Sequence, residues 1–331
     1  MIDTYKEIYN KKELPWGRTQ FYQSCAELDI EGERDTEKRF NDYKLEYLLD
    51  RNMNVLDIGS NCGFLSLFVS KYVNKIIGVE KEQHLFELAN KVKDDLNINN
   101  CYFIHKDFES FTTIEKYDVI FSFAEHLWIG MSFVDYIKKI KSLLKLQGLF
   151  FIESHKINLG LDLDFKMKLD LIETLGFTKL YEARIDEGRD ERILAIFRLG
   201  KYEIKYIEDI LEANGFYEGK RLDINLTCSA IKELLETGNS ELYKEYHTKR
   251  HGWKIDNKNF EDLLNYVKIS KENSLFLKPI QIDINDKLFD GCHRLSSALY
   301  NKQKYILTEK INCICNSKID KNDLLKNGII I

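Results

Sequence analysis

The stretch Asn54-Val55-Leu56-Asp57-Ile58-Gly59-Ser60-Asn61-Cys62-Gly63 decides the fold of this chain. Its pattern is that of a buried strand that breaks into a glycine-bearing turn and opens a helix. A second apolar run, Lys75-Ile76-Ile77-Gly78-Val79, ends on Glu80, 23 residues after Asp57. A carboxylate at such a strand tip can accept hydrogen bonds from both hydroxyls of a ribose. The two strand ends therefore predict a binding site for a nucleotide-like ligand.

The glycine spacing separates two cofactors that could use this turn. A dinucleotide fingerprint needs Gly-x-Gly-x-x-Gly so that a pyrophosphate can approach the helix N-terminus, but the second and third positions hold Asn61 and Phe64. S-adenosylmethionine has no phosphate, and its ammonium and sulfonium groups favour carboxylates and carbonyls. Because Asp57 stands just before the turn, the sequence favours S-adenosylmethionine over a dinucleotide.

These residues resemble motif I and the acidic second motif of class I S-adenosylmethionine-dependent methyltransferases. The resemblance continues with Asp107-Phe108 after the third strand, where the family reads the adenine, and with 117–123 as the fourth strand. It covers residues 46–199 and implies an α/β, doubly wound Rossmann-like sheet. The cofactor-binding residues that it implies are Asp57, Gly59, Ser60, Asn61, Gly63, Glu80, Lys81, Asp107, Phe108 and Ser122.

Strand and helix patterns alternate through the middle of the chain, in the βαβ rhythm of a doubly wound sheet. The predicted strands lie near 54–58, 75–79, 101–105, 117–122 and 148–154, and the predicted helices near 63–72, 82–96 and 132–145. Two further apolar runs, 177–181 and 192–197, suit the closing β-hairpin that class I methyltransferases add to the sheet. The catalytic domain is therefore expected to end near Leu199, with a second, smaller domain over 201–331.

The first 45 residues precede the predicted sheet and are expected to cover the cofactor and shape the acceptor pocket. Their candidate acceptor-binding residues are Trp16, Arg18, Arg34 and Arg39. A guanidinium binds a phosphate or carboxylate through two hydrogen bonds, so the three arginines could clamp an anionic acceptor. The alternative is that the arginines are solvated helix charges and that Trp16 packs in the core or in a lid.

Two candidate catalytic residues follow the fourth strand. Glu125 and His126 stand at the carboxyl edge of the sheet, where ligands bind in this fold. A hydroxyl acceptor benefits from a base, and His126 has a suitable ordinary pKa, while Glu125 could orient or assist it. The alternative is that His126 caps the next helix or contacts the cofactor. The (D/N/S)-P-P-(Y/F) motif of DNA-base amine methyltransferases is missing here, because no proline occurs between Pro15 and Pro279.

Composition narrows the class of protein further. The chain has 331 residues, with 49 basic against 54 acidic side chains and no long basic run, so a general nucleic-acid binder is disfavoured. The N-terminus lacks the apolar core of a signal peptide, and no apolar stretch reaches the length of a membrane span. The seven cysteines are scattered without paired Cys-x-x-Cys knuckles. We therefore expect a soluble, cytoplasmic protein with reduced thiols and no metal site.

The last third of the chain contains a second specific stretch, a predicted hairpin over 278–290 that runs directly into a helix. It resembles the ParB and sulfiredoxin superfamily, whose members carry a proline-isoleucine strand followed by Asp-Gly-x-His-Arg. The resemblance implies an α+β fold and a phosphate- or nucleotide-binding loop formed by Asp290, Gly291, Cys292, His293 and Arg294. His293 and Arg294 would be its catalytic residues, with ATP and Mg²⁺ as the expected ligands. In the sulfiredoxin loop the cysteine is the nucleophile, but Asp290 stands where that family has another glycine.

The sequence thus predicts an S-adenosylmethionine-dependent methyltransferase that O-methylates a small molecule or glycan. Its C-terminal domain would bind ATP or phosphorylate the same acceptor, by analogy with bifunctional methyltransferase-kinases that cap bacterial polysaccharides. One alternative is a nucleic-acid-modifying or DNA- or RNA-binding protein with the C-terminal domain as a clamp, which predicts salt-sensitive binding. Another is a redox-linked enzyme, which needs Cys292 as a thiol of low pKa.

Overall fold

The computed structural model describes residues 2–12, 20–188, 190–252, 255–315, 319 and 322–323. The chain divides into two compact units, Met1–Gly200 and Lys201–Ile331. Among the described residues, no helix combines the length and apolar character that crossing a bilayer requires. Each unit is described by itself below.

The first unit alternates strands and helices along most of its length. Its strands are β1 (Phe21–Gln23), β2 (Gly32–Arg34), β3 (Asn54–Ile58), β4 (Lys75–Glu80), β5 (Cys101–His105), β6 (Tyr117–Phe123), β7 (Leu144–Glu153), β8 (Phe177–Asp186) and β9 (Glu191–Leu199). Its helices are α1 (Ile2–Tyr9), α2 (Thr36–Asp42), α3 (Leu45–Leu48), α4 (Phe64–Val69), α5 (Gln83–Asp95), α6 (Phe133–Leu143) and α7 (Phe165–Thr174).

Seven of these strands form one sheet in the order β5-β4-β3-β6-β7-β9-β8. The first five strands in this order, β5, β4, β3, β6 and β7, are parallel to one another. Strand β9 runs antiparallel to both β7 and β8. The chain order reverses on either side of β3, so a crevice for a ligand is expected at the carboxyl ends of β3 and β6. The predicted strands and the closing hairpin coincide with observed strands. The predicted Rossmann-like α/β fold with a mostly parallel sheet is therefore confirmed.

The central strands are continuous apolar runs, without alternation of polar and apolar residues, because both faces of the sheet are buried there. Val55 and Leu56 of β3 and Phe150 of β7 are completely buried. On one face the sheet packs against apolar residues of α6 and α7, among them Ile140 and Leu169. Parallel strands that are covered on both faces favour such continuous apolar runs.

The residues before β3 build a separate layer. β1 and β2 pair in parallel as a two-stranded sheet of their own. Helix α1 packs on α5, where the Tyr5 hydroxyl donates to the Asp95 carboxylate at 2.6 Å. The side-chain oxygen of Gln23 accepts the Leu65 backbone N–H at 3.1 Å, at the start of α4. The N-terminal segment therefore packs against the glycine turn and the helix that follows it.

The second unit has four strands and five helices among its described residues. Its strands are β10 (Glu203–Tyr206), β11 (Ile280–Ile282), β12 (Leu288–Asp290) and β13 (Tyr305–Lys310), and its helices are α8 (Ile207–Ala213), α9 (Leu222–Thr237), α10 (Glu241–His251), α11 (Asn257–Glu272) and α12 (Cys292–Tyr300). The sheet order is β10-β13-β11-β12, in which only the pair β11 and β13 is parallel. The predicted hairpin is present as β11 and β12, and α12 begins two residues after it. The likeness to the ParB and sulfiredoxin superfamily stays a prediction.

Candidate functional site

A cavity of about 150 Å³ lies in the first unit where β3, β4, β6 and β7 end. Its lining residues fall into two sides and a loop between them. The turn side comprises Gly59, Asn61, Glu80, Lys81 and Glu82, which follow or end β3 and β4. The hairpin side comprises Tyr22, His155, Lys156, Leu161 and Arg192, which come from β1, from the segment after β7 and from β9. Because β6 lies between β3 and β7 in the sheet, the residues Phe123, Ala124, Glu125 and Trp128 separate the two sides.

The turn side is fixed by backbone conformation and by one carboxylate. Gly59 and Asn61 have positive φ values of 70° and 56°. The Glu80 carboxylate accepts the Asn61 N–H through one oxygen and the Glu82 N–H through the other, both at 2.8 Å. A carboxylate offers about four acceptor positions, so Glu80 retains capacity for two further donors. Burial raises the pKa of Glu80 from its ordinary value.

Gly59 leaves room that another residue would fill. A Cβ atom at Gly59 would lie 2.4 Å from the carboxyl carbon of Glu125. The left-handed backbone at Gly59 independently disfavours a side chain there. The Glu125 carboxyl therefore lies directly against the bare glycine backbone.

Glu125 sits in a markedly acidic environment. Burial, the nearby Glu80 carboxylate and, more weakly, Asp57 and Asp107 hold the pKa of the Glu125 carboxyl well above its usual range, against the opposing effect of Lys81. Ala124, which precedes Glu125, has a positive φ of 57°. This conformation is rare for alanine and costs of the order of 1–3 kcal/mol, so the surrounding structure must enforce it. The turn side and the β6 loop thus form an acidic pocket suited to a cationic ligand.

The predicted cofactor-binding residues are distributed over three places. Gly59, Asn61, Glu80 and Lys81 line the cavity. Asp107 lines a neighbouring open depression of about 610 Å³, which shares Lys81 and Glu82 with the cavity. The remaining five, Asp57, Ser60, Gly63, Phe108 and Ser122, line neither of these spaces.

Contacts of these remaining residues show what they support. Asp57 is 3% exposed and accepts the Ser66 hydroxyl of α4 at 2.5 Å, and burial raises its pKa to about 6. The Ser122 hydroxyl accepts that of Tyr136 from α6 at 2.8 Å. Phe108 packs in the core cluster beside α6. These side chains hold α4 and α6 against the strand ends, and their role in cofactor binding stays a prediction.

His126 does not line the cavity. Its Nε2 lies 3.0 Å from the Asp162 carboxylate, and its ring packs against Phe165 and His155. The ring nitrogens of His126 are buried. Glu125 and His126 therefore face different surroundings, although they are neighbours in sequence.

Arg34 and Arg39 occupy positions that the sequence did not indicate. Arg34 donates to both oxygens of Glu153, at 2.7 and 2.9 Å, and its Nε donates to Glu187 at 2.7 Å. Arg39 donates to the Tyr43 hydroxyl at 3.2 Å, and that hydroxyl in turn donates to Glu153. Both arginines are buried, at 3% and 2% exposure, so the expectation that they stand open to an acceptor does not match their location.

Arg34 and Arg39 are buried because Glu153, at the carboxyl end of β7, is fully buried and needs compensating charge in the interior. Its pKa is held far below the usual range: Arg34, Arg192 and Arg39 outweigh the opposing effect of burial. The other two predicted acceptor residues, Trp16 and Arg18, lie outside the described residues.

The hairpin side supplies functional candidates that sequence reasoning missed. His155 and Lys156 follow the end of β7 by two and three residues. Burial, together with the nearby His126 and Arg192, lowers the pKa of His155 to about 4, so its imidazole is neutral at physiological pH. The signal for both residues was their position, since polar residues after a parallel strand lie at the ligand-binding edge. Arg192 could have been noticed as a cation that opens the apolar run of β9.

In the second unit the predicted phosphate loop lies at the start of α12. Gly291 caps this helix with a φ of 101°, and a Cβ atom there would collide with Ile280. Arg294 donates to Asp290 at 2.6 Å and to the Pro279 carbonyl at 2.7 Å. His293 Nε2 lies 3.1 Å from the Tyr243 hydroxyl, and burial lowers its pKa. Arg294 is thus already paired with a carboxylate at the helix terminus.

Cys292 lacks the surroundings of a reactive thiol. Its sulfur lies 3.4 Å from the Asp223 carboxylate, and burial together with that charge raises the pKa of the thiol far above its usual range. A nucleophilic cysteine requires the opposite shift. In the part of the chain that the structure describes, no group of three or more His, Cys, Asp or Glu residues could hold a metal ion.

Residues 49–195, from just before β3 into β9, match a protein-family model described as a methyltransferase domain. None of the curated proteins matches the chain. The solved YcgJ protein from Bacillus subtilis is 15% identical, with a TM-score of 0.41 over 49% of this chain and 99% of that one. The N-methyltransferase NodS from Bradyrhizobium japonicum WM9, in complex with S-adenosyl-L-homocysteine, is 13% identical, with a TM-score of 0.44 over 60% of this chain and 98% of NodS. A methyltransferase from Pyrococcus furiosus is 19% identical, with a TM-score of 0.42 over 50% and 83%.

Proposed function

We propose that residues 49–195, which match a methyltransferase-domain model, form a class I S-adenosylmethionine-dependent domain, and that the chain O-methylates a small molecule or glycan in the cavity at the carboxyl ends of β3, β4, β6 and β7. One observation carries the proposal. A glycine turn, a strand-end carboxylate and a buried acidic loop converge on one side of a cavity whose other side presents neutral His155 and cationic Arg192. The methyl donor and the methyl acceptor would meet at the loop after β6.

The turn side fits S-adenosylmethionine by charge and by shape. Glu80 has acceptor capacity left for the ribose hydroxyls, and Asn61 is held beside it. The adenosine would extend towards the open depression that Asp107 lines. Glu125 would face the cationic methionine portion above Gly59. When bound, this cofactor supplies a methyl group on a positively charged sulfur, and the protein must position an acceptor oxygen in line with it.

His155 is proposed as the residue that orients the acceptor hydroxyl and takes its proton. A neutral imidazole can accept a hydrogen bond from the hydroxyl before reaction. Its low basicity is sufficient, because the oxygen becomes strongly acidic as the new bond to carbon forms. Glu125 and His126 were predicted for this role, but His126 is engaged with Asp162 and Glu125 faces the turn side. Glu125 is accordingly proposed to act on the cofactor's charge.

Calorimetric titration of S-adenosylmethionine into the full chain tests the cofactor assignment. We expect saturable binding of one molecule per chain, weakened roughly 10- to 150-fold by Glu80→Ala, because a hydrogen bond to a charged group contributes about 1.5–3 kcal/mol. Glu115→Ala is the matched control, since Glu115 pairs with Lys75 at the opposite end of β4. Absence of binding to the wild-type chain, or equal losses in both variants, would contradict the assignment.

For the second unit we propose phosphate or nucleotide binding at the start of α12. The supporting observation is that the Arg294 guanidinium lies at the first turn, with one nitrogen 3.1 Å from the place of a Cβ on Gly291. Helix N-termini and guanidinium groups both favour phosphate. A nucleotide would have to displace the Asp290 carboxylate from Arg294, so weak affinity is expected. The unreactive surroundings of Cys292 argue against the redox alternative.

Titration of Mg-ATP into the full chain tests this second proposal. We expect saturable binding that Arg294→Ala abolishes, and a gain in affinity for Asp290→Asn, since that change removes the competing negative charge. Arg250→Ala, which changes a cation on α10, serves as the control. If Mg-ATP does not bind, or if Arg294→Ala binds it as the wild type does, the nucleotide proposal is wrong and the second unit is better tested with nucleic acid.

A further inference from the structure

The hairpin side of the cavity borders a buried cluster of three guanidinium groups and two carboxylates. Three guanidinium groups, those of Arg34, Arg39 and Arg192, act on the single carboxylate of Glu153. Glu187 is the second carboxylate in the cluster, 2.6 Å from Arg34 and 3.6 Å from Arg192. All three arginines are 3% exposed or less. Asp57, whose pKa is raised by burial against the smaller opposing effect of Arg39, is a third carboxylate next to the cluster. An unpaired charge in a protein interior costs several kcal/mol, so each guanidinium group needs negative charge close to it.

Among the described residues, the other charged neighbours of Arg192 supply no unpaired carboxylate to it. Lys156 pairs with Asp190 at 2.6 Å, which makes this pair neutral. His155 is neutral because its pKa is lowered to about 4. Asp162 accepts from Lys168 at 2.7 Å and lies beside His126. Arg192 therefore shares Glu153 and Glu187 with Arg34, which already donates to both carboxylates.

Arg192 is the guanidinium of this cluster that reaches the cavity. It lines the cavity while Arg34 and Arg39 do not. One terminal nitrogen of Arg192 donates to the Ser154 carbonyl at 3.0 Å. Within the described ranges, Nε and the other terminal nitrogen have no hydrogen-bond partner, although Nε lies 3.6 Å from Glu187. Arg192 thus has donors to spare, and a planar guanidinium prefers an oxyanion that accepts two of them.

We propose that the methyl acceptor is a small hydroxyl compound with an oxyanion group, a carboxylate or a phosphate, and that Arg192 binds this group on the hairpin side. The inference rests on the proposed function of the cavity and narrows its substrate class. An anion beside Arg192 places the acceptor hydroxyl near His155, which precedes Lys156 on the same wall. The anionic acceptor that the sequence assigned to the N-terminal arginines is thereby assigned to an arginine of the closing hairpin.

The phenol of Tyr22 could supply the negative charge that we assign to the acceptor. Tyr22 lines the cavity and receives an N–H of Arg34 at 3.1 Å. Arg34, Arg192 and Arg39 together outweigh burial and lower the pKa of its phenol. A Tyr22 phenolate would neutralise the cluster and leave no place for an anionic acceptor. This rival state makes opposite predictions in the experiment below.

The experiment uses the full chain saturated with S-adenosylhomocysteine, the product that cannot react. Lactate, inorganic phosphate and propane-1,2-diol are titrated separately by calorimetry. We expect lactate or phosphate to bind once per chain and the uncharged diol, which matches lactate in size, not to bind. The phosphate titration uses the Arg294→Ala variant, so that the phosphate site proposed at the start of α12 does not contribute. Lactate alone would identify a carboxylate acceptor, and phosphate alone a phosphorylated one. Equal binding of diol and lactate, or no binding of either anion, would overturn the proposal and favour the phenolate.

Variants then locate the anion. Arg192→Gln is expected to weaken anion binding at least about tenfold, and Arg192→Lys to have an intermediate effect, because it keeps the charge but loses the planar pair of donors. Arg184→Gln is the matched control, since Arg184 is an exposed arginine on β8 of the same hairpin. Unchanged anion affinity in Arg192→Gln would overturn the assignment.

The affinity of each variant for S-adenosylhomocysteine reports whether the site is folded. Should Arg192→Gln lose this affinity as well, Arg192→Lys and the comparison of lactate with the diol still decide the question. Failure of the wild-type chain to bind S-adenosylhomocysteine would contradict the proposed function instead. The anion titration without that ligand would then still test Arg192.

Discussion

Arg34→Ala is expected to lower the free energy of unfolding by about 3–5 kcal/mol, because it leaves a buried carboxylate without its partner. Arg34 donates to both oxygens of Glu153, which is fully buried. It also donates to Glu187 and to the Tyr43 hydroxyl. Urea denaturation followed by circular dichroism measures the change.

Two comparisons separate the loss of this ion pair from a general effect of removing arginine. Arg184→Ala should change the free energy of unfolding by about 0–1 kcal/mol, because exposed ion pairs contribute little; its side chain is 73% exposed and lies 3.6 Å from Glu191. The double variant Arg34→Met/Glu153→Leu should be less destabilised than Arg34→Ala, because no buried charge then lacks a partner. A loss below about 1 kcal/mol for Arg34→Ala would contradict the interior role assigned to this pair.

The affinity for S-adenosylmethionine is expected to rise with pH, by up to about tenfold per pH unit, because binding should release one proton from Glu125. The Glu125 carboxyl lies against Gly59 and has a pKa well above its usual range, chiefly through burial and the Glu80 carboxylate. Below that pKa the free protein holds the proton. The cofactor's positive charge favours the carboxylate, so binding becomes easier as the proton is removed by rising pH.

Calorimetry in two buffers of different ionisation enthalpy measures the released proton directly. S-adenosylhomocysteine, which lacks the sulfonium charge, should show a shallower dependence on pH. Glu125→Gln should remove most of the dependence, whereas Glu115→Gln, at the far end of β4, should keep it. An affinity for S-adenosylmethionine that falls with pH, or the same slope in Glu125→Gln, would show that Glu125 is not the group that responds.

The sheet could be predicted from sequence because its signals are local. β3 and β4 are short apolar runs that end in a turn glycine and in Glu80, and these features occur within 30 residues of one another. The turn requires positive φ at Gly59, and buried parallel strands require apolar side chains at every position. Such constraints leave a pattern that a single sequence displays.

The interior ion pairs could not be predicted, because their partners are distant in sequence. Arg34 and Glu153 are separated by 119 residues and Arg34 and Glu187 by 153. An arginine beside other charged residues in a helix-rich segment has the composition of a solvated surface. Only the arrival of β2 beside the carboxyl end of β7 makes it an interior residue.

For Glu125 and His126, the position in the fold could be predicted from the sequence, but the surroundings of each side chain could not. The sequence placed both at the ligand-binding edge, and both follow β6. The positive φ of Ala124 is a tertiary feature, and it accompanies the arrangement in which Glu125 faces Gly59 while His126 contacts Asp162. Such backbone details decide which of two adjacent side chains faces the cavity, and they leave no recognisable pattern in the sequence.

The two-stranded layer of β1 and β2 makes the folding unit longer than the recognisable domain. The family match begins at residue 49, yet Tyr22 forms part of the cavity wall and Arg34 compensates the charge at the end of β7. A fragment cut at the family boundary would keep the turn and the strand-end carboxylate but lose a wall and a counter-ion. The N-terminal segment is thus as much a part of the protein's interior as the strands within the family match.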